Sequence, residues 1–143
     1  MLVKEIMSEV VRTVTPDMSL RETASAMKDS GSDFMPVIGD SGFTGTITGR
    51  DIAVKGLAEE VDCDLTYIET IMTGDPDWVP ENGTVEESAK KMAALHLQKI
   101  TVLDERGQVS GVLSVEDIAG KAGCELGCEL LLSAYKRKPA IAG

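Results

Sequence analysis

Two short stretches of the sequence each place a hydroxyl three residues before a carboxylate, where an apolar run gives way to a helix pattern. They are Thr48 followed by Asp51, and Ser114 followed by Asp117. Amide N–H groups at a helix start attract anions, and a hydroxyl there adds one donor. A carboxylate only accepts hydrogen bonds and can take both hydroxyls of a ribose. The same spacing is that of a capping box, so the pattern allows either a sugar-phosphate site or a structural helix cap.

The two stretches differ in charge. Arg50 stands directly before Asp51, whereas Glu116 stands directly before Asp117. A guanidinium pairs with a phosphate through charge-assisted hydrogen bonds, and a carboxylate repels one. We therefore expect the first stretch to suit a phosphorylated ligand better than the second.

A pair of thiols near the C-terminus offers a different chemistry. Cys124 and Cys128 are spaced to lie on one face of a helix, where they could bind a metal or oxidise together. A zinc site needs about four ligands, and only Cys63 and His96 remain as thiol or imidazole candidates. We therefore predict that both cysteines are small buried residues on a packing face, with metal or redox sensing as the alternative.

The same segment predicts a C-terminal helix. Leucines follow Cys124 as far as Tyr135, the basic run Lys136-Arg137-Lys138 suits a helix C-terminus, and Pro139 stops the helix. We expect this helix to pack at a subunit contact or on a partner.

The chain repeats itself at a spacing of about 65 residues, which is too long for a short solenoid unit. Both copies read as short strand, helix, strand, strand, helix, with a capping box before the long helix. One such copy cannot cover its own sheet, so the two are expected to pack together in an α/β fold. The matching pairs are Ile6-Met7 with Ile71-Met72, Ser19 and Glu22 with Thr84 and Glu87, Gly45 with Gly111, and Asp51-Ile52-Ala53 with Asp117-Ile118-Ala119. The predicted strands are Phe34 to Ile38, Phe43 to Thr48, Ile100 to Leu103 and Val109 to Ser114, and the closing helices begin near Gly49 and Val115.

Together these features resemble the CBS motif, here present twice and covering residues 3–122. Its closing signature is matched by Gly45-Thr46-Ile47-Thr48-Gly49-Arg50-Asp51 and by Gly111-Val112-Leu113-Ser114-Val115-Glu116-Asp117. The resemblance implies two pseudo-two-fold-related β-α-β-β-α motifs that form one paired (Bateman) module. We predict motif 1 over residues 1–58, a linker over 59–67, motif 2 over 68–122, and a C-terminal helix and tail over 123–143.

The resemblance also implies a function. Modules of this kind bind AMP, ADP, ATP or a related adenosine compound in a cleft between the two motifs, and they signal through a homodimer to a protein partner. When the family's binding residues are matched to this sequence, Thr48 and Ser114 are expected to bind phosphate, and Asp51 and Asp117 are expected to bind ribose. The alternative is a structural or interaction dimer that has the fold but no working nucleotide site, an expectation motivated by Glu116, Thr101 and Gly31.

Further positions carry expectations from the same resemblance. His96 follows the second long helix, near a basic phosphate contact of the family, although a helix-end histidine can equally be structural. Met35 and Ile100 precede the position where the family has a proline, and they resemble positions that wall the adenine ring. Core packing explains apolar side chains there equally well.

The bulk composition excludes several classes of function. A net charge of −10 and an aromatic content of 3% argue against nucleic-acid binding. No apolar run reaches membrane-spanning length and the first residues lack a secretory pattern, so we expect a cytoplasmic protein that does not bind membranes. The sequence has one His and no nucleotide-binding loop of the enzyme families, so we expect no enzymatic activity and no obligatory cofactor.

Overall fold

The computed structural model describes residues 1–9 and 12–135, without the side chains of residues 124 and 131–135. The chain forms two compact units. The first unit comprises residues 12–76, and the second unit comprises residues 1–9 together with 77–135. Within the described residues, no helix combines the length and the apolarity needed to cross a bilayer.

Both units mix helices and strands, as the sequence predicts. In chain order the elements are α1 (Val3–Ile6), α2 (Leu20–Ser30), β1 (Phe34–Gly39), β2 (Gly42–Thr48), α3 (Gly49–Asp51) continued by a π-helical turn (Ile52–Leu57), a 3₁₀ turn (Ile68–Thr70), β3 (Thr73–Gly74), β4 (Trp78–Pro80), α4 (Val85–Leu95), β5 (Lys99–Leu103), β6 (Val109–Ser114), α5 (Val115–Lys121) and α6 (Cys124–Tyr135).

Each unit has one three-stranded sheet. In the first unit, β2 pairs with β1 and with β3, both antiparallel. In the second unit, β5 pairs antiparallel with β6 and parallel with β4. The two hairpins share an irregularity at matching places, between Val37 and Ile38 in β1 and between Val102 and Leu103 in β5. The repeat in the sequence is therefore a repeat of the hairpin, and the limits predicted for its four strands are confirmed to within one residue. The third strand differs between the sheets, because the predicted opening strand of the first copy is only an isolated bridge from Val14 to Val37.

Side-chain caps fix where the two long helices begin. Ser19 Oγ accepts a hydrogen bond of 3.1 Å from Glu22 N, and Ser19 N donates one of 2.9 Å to Glu22 Oε1. Before α4, Thr84 Oγ1 accepts from Glu87 N at 3.2 Å. The predicted capping box is therefore confirmed in full for α2, and its hydroxyl half is confirmed for α4.

Both long helices end on a residue in the left-handed conformation. Gly31 after α2 has φ +73°, and His96 after α4 has φ +57°. Glycine adopts this conformation without a steric penalty, while His is one of the side chains that tolerate it best. The one histidine of the chain therefore has a backbone role in closing α4.

The opening segment of each repeat packs on the other repeat. Ile6 begins the first repeat but belongs to the core of the second unit, beside Met92 and Leu113. Ile71 begins the second repeat but belongs to the core of the first unit, beside Ile47. Each compact unit is therefore built from a repeat and the Ile-Met segment of its neighbour.

The glycine pair Gly45 and Gly111 makes room for these segments. A Cβ atom at Gly45 would lie 2.7 Å from Met72 Sδ and 2.8 Å from the carbonyl oxygen of Thr73. A Cβ at Gly111 would likewise lie 2.7 Å from Met7 Sδ and 2.7 Å from the carbonyl oxygen of Ser8. The repeated glycine is thus required by a repeated close approach, which the sequence alone did not reveal.

The C-terminal helix is confirmed as α6, and its predicted place at a subunit or partner contact stays a prediction. It packs on α4 and α5 of its own unit. Leu130 is buried in the core, and a Cβ at Gly127 would lie only 2.3 Å from Ala119 Cβ. Because Gly127 has no side chain, α6 can lie directly on α5.

The predicted burial of the cysteine pair is wrong for Cys128, which is exposed. The buried face of α6 is formed by Gly127 and Leu130, and Cys128 lies off it. The Cys124 side chain and the tail 136–139 lie outside the described residues. Among the residues that are described, no three His, Cys, Asp or Glu side chains are grouped so that they could hold a metal ion.

Candidate functional site

The first signature forms a reciprocal cap at the start of α3. Thr48 Oγ1 accepts a hydrogen bond of 3.1 Å from Asp51 N, and Thr48 N donates one of 3.0 Å to Asp51 Oδ2. Thr48 is extended, with φ −122° and ψ 163°, because it is both the last residue of β2 and the residue before the helix. The strand end and the helix start therefore hold the hydroxyl and the carboxylate side by side.

The second signature repeats this geometry. Ser114 Oγ accepts from Asp117 N at 3.0 Å, and Ser114 N donates to Asp117 Oδ2 at 3.0 Å. The structural role allowed by the sequence is thus present at both positions. The cap does not involve the proton of either hydroxyl or the second carboxylate oxygen, Oδ1, of either aspartate. Asp51 Oδ1 also contacts Lys55 but can accept a further hydrogen bond.

The backbone amides at these helix starts are mostly occupied. Gly49 N donates to the carbonyl oxygen of Asp33 at 2.9 Å, and Val115 N donates to that of Gln98 at 2.9 Å. The third amide of each helix, that of Asp51 or Asp117, donates to the cap hydroxyl. The second amide, that of Arg50 or Glu116, is therefore the one that remains available to a ligand in the first turn. Fewer backbone amides are consequently available to a phosphate than the sequence suggested, and side chains must supply most of the positive charge.

A lysine one turn further along distinguishes the two signatures. Lys55 Nζ lies 3.4 Å from Asp51 Oδ1 and donates a hydrogen bond of 3.4 Å to the carbonyl oxygen of Ile71. Lys121 is the matching residue and donates in the same way to Ile6, also at 3.4 Å. Within residues 1–9 and 12–135, however, Lys121 forms no ion pair with Asp117. Among the described residues, an ion pair between the aspartate and the lysine four residues later is therefore seen at the first signature and not at the second.

The flanking charges reinforce this difference. Arg50 is exposed beside Asp51, which is half-buried. Glu116 is exposed beside Asp117, also half-buried. The first signature thus brings together Thr48, Arg50, Asp51 and Lys55. The Asp33 side chain lies next to Gly49, so two cations stand with two carboxylates, and the exposed Arg50 is the cation that can pair with a phosphate.

Strand pairing adds a residue that the sequence reasoning missed. In the β5–β6 hairpin, Lys99 lies directly opposite Ser114, whereas the matching partner of Thr48 is Phe34. Lys99 is half-buried. The second signature therefore has a cation on the neighbouring strand, which partly offsets the charge of Glu116. The signal was present in the predicted hairpin, because its register fixes which residues face each other.

The three remaining candidates lie in different surroundings. Met35 is 0% exposed and Ile100 is 1% exposed, and each belongs to the core of its unit. They pair with Ile47 and Leu113, the residues just before Thr48 and Ser114. His96 is half-buried at the end of α4, in the same unit as Ser114. Met35 and Ile100 therefore support the strand ends beside the signatures as packed core residues.

One cavity of the first unit does not lie at the signature. It has a volume of about 890 Å³ and lies at the hairpin end of β1 and β2, the end opposite Thr48. Its lining includes the carboxylates of Asp17, Asp40 and Glu69. Three carboxylates make this cavity a poor site for a phosphate, so it does not compete with the first signature.

Comparison with known proteins decides the family. The CBS domain model matches residues 3–56 and again residues 68–122, which together include both signatures. The chain belongs to the CBS domain family. As a tandem CBS pair, it has the architecture that the resemblance implied.

Solved structures agree on the fold. A conserved CBS domain protein of unknown function from Thermoplasma acidophilum superposes with a TM-score of 0.84 at 21% identity, covering 96% of this chain and 78% of that one. The CBS domain pair of protein MJ0100 superposes with a TM-score of 0.76 at 31% identity, covering 86% of this chain and 100% of that one. That pair was solved in complex with 5′-methylthioadenosine and S-adenosyl-L-methionine.

Curated relatives place similar CBS pairs in proteins of different size. The CBS domain-containing protein YhcV of Bacillus subtilis is 29% identical over 121 residues, which is 82% of each chain. The inosine-5′-monophosphate dehydrogenase of Korarchaeum cryptofilum is 31% identical over 119 residues, but these are 81% of this chain and 24% of the enzyme. The chain thus spans about a quarter of the length of that enzyme relative.

Proposed function

We propose that this CBS pair is a regulatory, non-catalytic module that binds an adenosine-containing compound. The observation that carries the proposal is the duplicated signature, in which each capped aspartate keeps Oδ1 and each hydroxyl keeps its proton. The MJ0100 pair supports it, because a CBS pair 31% identical to this chain holds two adenosine compounds.

In this proposal the aspartates recognise the ribose. Asp51 and Asp117 accept hydrogen bonds from the ribose hydroxyls through Oδ1, while Oδ2 continues to hold the helix cap. Thr48 and Ser114 donate their hydroxyl protons to the phosphate or to whatever polar group replaces it. One residue pair would thus serve the fold and the ligand at once.

The ligand class at the first signature is proposed to be a phosphorylated adenosine, that is AMP, ADP or ATP. Arg50 and Lys55 provide two cations within one helical turn of Asp51, and an anion gains more from paired cations than from a single amide. The second signature has Lys99 opposite Ser114 and Glu116 in its first turn, which suits a compound with less negative charge. His96 is proposed as an additional basic contact to a phosphate.

The adenine ring is proposed to lie against the strand starts at Met35 and Ile100. Their side chains are core residues, so the base would meet the rigid strand edges that they support rather than a mobile side chain. Ligand occupancy is proposed to change the geometry of a homodimer, which a separate cytoplasmic protein then senses.

A thermal-shift panel tests the proposal on the purified full chain. AMP, ADP, ATP and S-adenosylmethionine are added at millimolar concentration, with GMP as the control for base recognition. A ligand present at a hundred times its Kd stabilises the folded state by about 2.7 kcal/mol. At least one adenosine compound should therefore raise Tm by several degrees and GMP should not. A flat response to the whole panel would overturn the proposal.

A second candidate function is a structural or interaction dimer without a nucleotide site. The complete reciprocal caps favour it, because they alone explain why a hydroxyl and a carboxylate recur at this spacing. It predicts no thermal shift with any of the compounds, together with a dimer that is stable without ligand.

A further inference from the structure

The closing helices of the two units share a tripeptide but differ in helix type. Asp51-Ile52-Ala53 leads into the π-helical turn, whereas Asp117-Ile118-Ala119 lies within the α-helix α5. In the π-helical turn, Ala58 N donates to the carbonyl oxygen of Ala53, five residues back, at 2.9 Å. The tripeptide itself therefore does not decide which helix forms.

The helix type matters for the lysine beside the aspartate. Lys55 and Lys121 both follow their aspartate by four residues, and both donate at 3.4 Å to an isoleucine carbonyl oxygen. A turn closed by bonds to the fifth residue back holds more residues than an α-helical turn, so the fourth residue returns closer to the first. In this turn Lys55 Nζ lies 3.4 Å from Asp51 Oδ1, and among the described residues no such pair joins Lys121 to Asp117.

One buried residue of the first unit distinguishes the two closing segments. After the shared tripeptide, the segments differ at three positions, namely Val54, Gly56 and Leu57 against Gly120, Ala122 and Gly123. Val54 is 46% exposed and Leu57 is 70% exposed, whereas Gly56 is buried. Gly56 is therefore the difference that changes how the closing segment packs.

Gly56 lies against the first residue of α2. A Cβ atom at Gly56 would be only 2.4 Å from Leu20 Cδ2, and Leu20 is 0% exposed. The matching residues of the second unit are Val85, which is buried in the core, and Ala122, which packs against that core. Leucine with glycine and valine with alanine carry the same number of side-chain carbons, and cores tolerate such volume-conserving exchanges best.

We infer that Gly56 is a positioning residue of the first signature. Because residue 56 has no side chain, the π-helical turn packs directly on Leu20, and the packed turn carries the Lys55 ammonium to Asp51 Oδ1. There the ammonium offsets the carboxylate that would otherwise repel a phosphate. The preference of this signature for a phosphorylated adenosine thus depends on a glycine that touches no ligand, an inference that rests on the proposed function.

The test exchanges the packing pair for that of the second unit. Gly56→Ala alone would force a Cβ into Leu20, so the exchanged-pair variant combines it with Leu20→Val, which makes room for the methyl group. The matched control is Val54→Gly, which introduces the second unit's residue at an exposed position of the same turn. Each is made in the full chain with and without Lys55→Met, and circular dichroism verifies that it folds.

Calorimetric titration with ATP and with adenosine measures the charge preference. In the wild-type protein and in Val54→Gly, Lys55→Met should weaken ATP binding about two- to fivefold, the range of an exposed ion pair. The exchanged-pair variant should already bind ATP that much more weakly and bind adenosine like wild type. Adding Lys55→Met to it should have no further effect, because both changes remove one contact.

Three results would contradict the inference. They are an equal effect of Lys55→Met in the wild-type and exchanged-pair backgrounds, loss of that effect in Val54→Gly, and an exchanged-pair variant that does not fold.

A crystal structure of the exchanged-pair variant without ligand tests the positioning separately. We expect an α-helical closing segment with Lys55 Nζ further than about 4 Å from Asp51 Oδ1, the limit of an ion pair. A π-helical turn that persists with its ion pair would overturn the role of Gly56, whatever the protein binds. If the segment changes as expected but the wild-type protein binds no adenosine compound, the proposed function and the charge preference fail, while the placement of Lys55 by Gly56 stands.

Discussion

Lys55 Nζ lies 3.4 Å from Asp51 Oδ1, and the described residues contain no matching ion pair between Lys121 and Asp117. Both lysines sit four residues after their aspartate, and both donate to a repeated isoleucine carbonyl. The backbone and the caps of the two signatures are therefore alike while their electrostatics differ. The two signatures thus share one scaffold and differ in the charge around it.

Replacement of Lys55 should change ligand selectivity at the first signature. In Lys55→Met, the site loses a cation while Asp51 Oδ1 can still accept from the ribose, so ATP should bind more weakly and uncharged adenosine should not. Since the ammonium is half exposed, the loss should be about two- to fivefold, the range of surface ion pairs. Calorimetric titration with ATP and with adenosine measures both constants.

The control for this experiment is Lys121→Met. It removes the same backbone hydrogen bond in the second unit but no ion pair with an aspartate. An equal loss of ATP affinity in both variants would contradict the electrostatic role of Lys55 and point to its contact with Ile71 instead.

The close approach at Gly45 should make that position intolerant of any side chain. Gly45→Ala would push Cβ against Met72 and the backbone oxygen of Thr73, and the backbone cannot move aside as a side chain can. Overpacking of this kind costs about 1–3 kcal/mol. Urea unfolding followed by circular dichroism should show the decrease in the free energy of unfolding, and Gly111→Ala should behave likewise.

Gly120→Ala is the matched control for the glycine series. Gly120 is an exposed residue of α5, and no atom of the described residues lies within 4 Å of the position its Cβ would take. Alanine is favoured over glycine in a helix by about 0.5–1 kcal/mol, so this variant should be slightly more stable than wild type. Equal destabilisation by all three substitutions would show that glycine is kept for a reason other than the crossing Ile-Met segments.

The Thr101→Val variant should be more stable than the wild-type protein. Its side chain is 0% exposed, and within the described residues its Oγ1 has no hydrogen-bond partner. A buried hydroxyl without a partner costs about 1–3 kcal/mol, so Thr101→Val should raise the free energy of unfolding by about 1 kcal/mol. The change is measured by the same urea titration.

Thr23→Val provides the opposite case. Thr23 is also 0% exposed, but its Oγ1 donates a 2.9 Å hydrogen bond to the carbonyl oxygen of Ser19. Loss of this bond should lower the free energy of unfolding by about 1 kcal/mol. Destabilisation of both variants to the same extent would mean that Thr101 has a polar role that its surroundings do not reveal.

Local chemistry explains what the sequence predicted well. The caps at Ser19, Thr48 and Ser114 depend on residues three apart, and all three form as complete boxes. The strand limits follow from apolar runs bounded by turns. These features need no knowledge of distant contacts, which is why spacing alone located them.

Long-range packing explains what the sequence did not predict. No local sequence pattern predicts that Ile71 packs in the core of the first unit. Nor does any local pattern predict that α6 packs on its own unit through Gly127 and Leu130. The wrong placement of Cys128 has the same origin, since residues spaced by four share a face but the spacing does not say which face is buried. The ion pair between Lys55 and Asp51 could not be predicted either, because its formation depends on the rotamers of both side chains.

The central claim, an adenosine site built on capped aspartates, is tested most directly by calorimetric titration of Asp51→Asn and Asp117→Asn with AMP, ADP, ATP and S-adenosylmethionine. Asparagine can keep the cap, since its carbonyl oxygen still accepts from Thr48 N or Ser114 N, but its amide nitrogen cannot accept from a ribose hydroxyl. Loss of that acceptor costs about 1–3 kcal/mol, a ten- to hundredfold loss of affinity. We predict this loss in at least one variant with Tm close to wild type. Unchanged affinity in both variants, or no binding by the wild-type protein, would contradict the account.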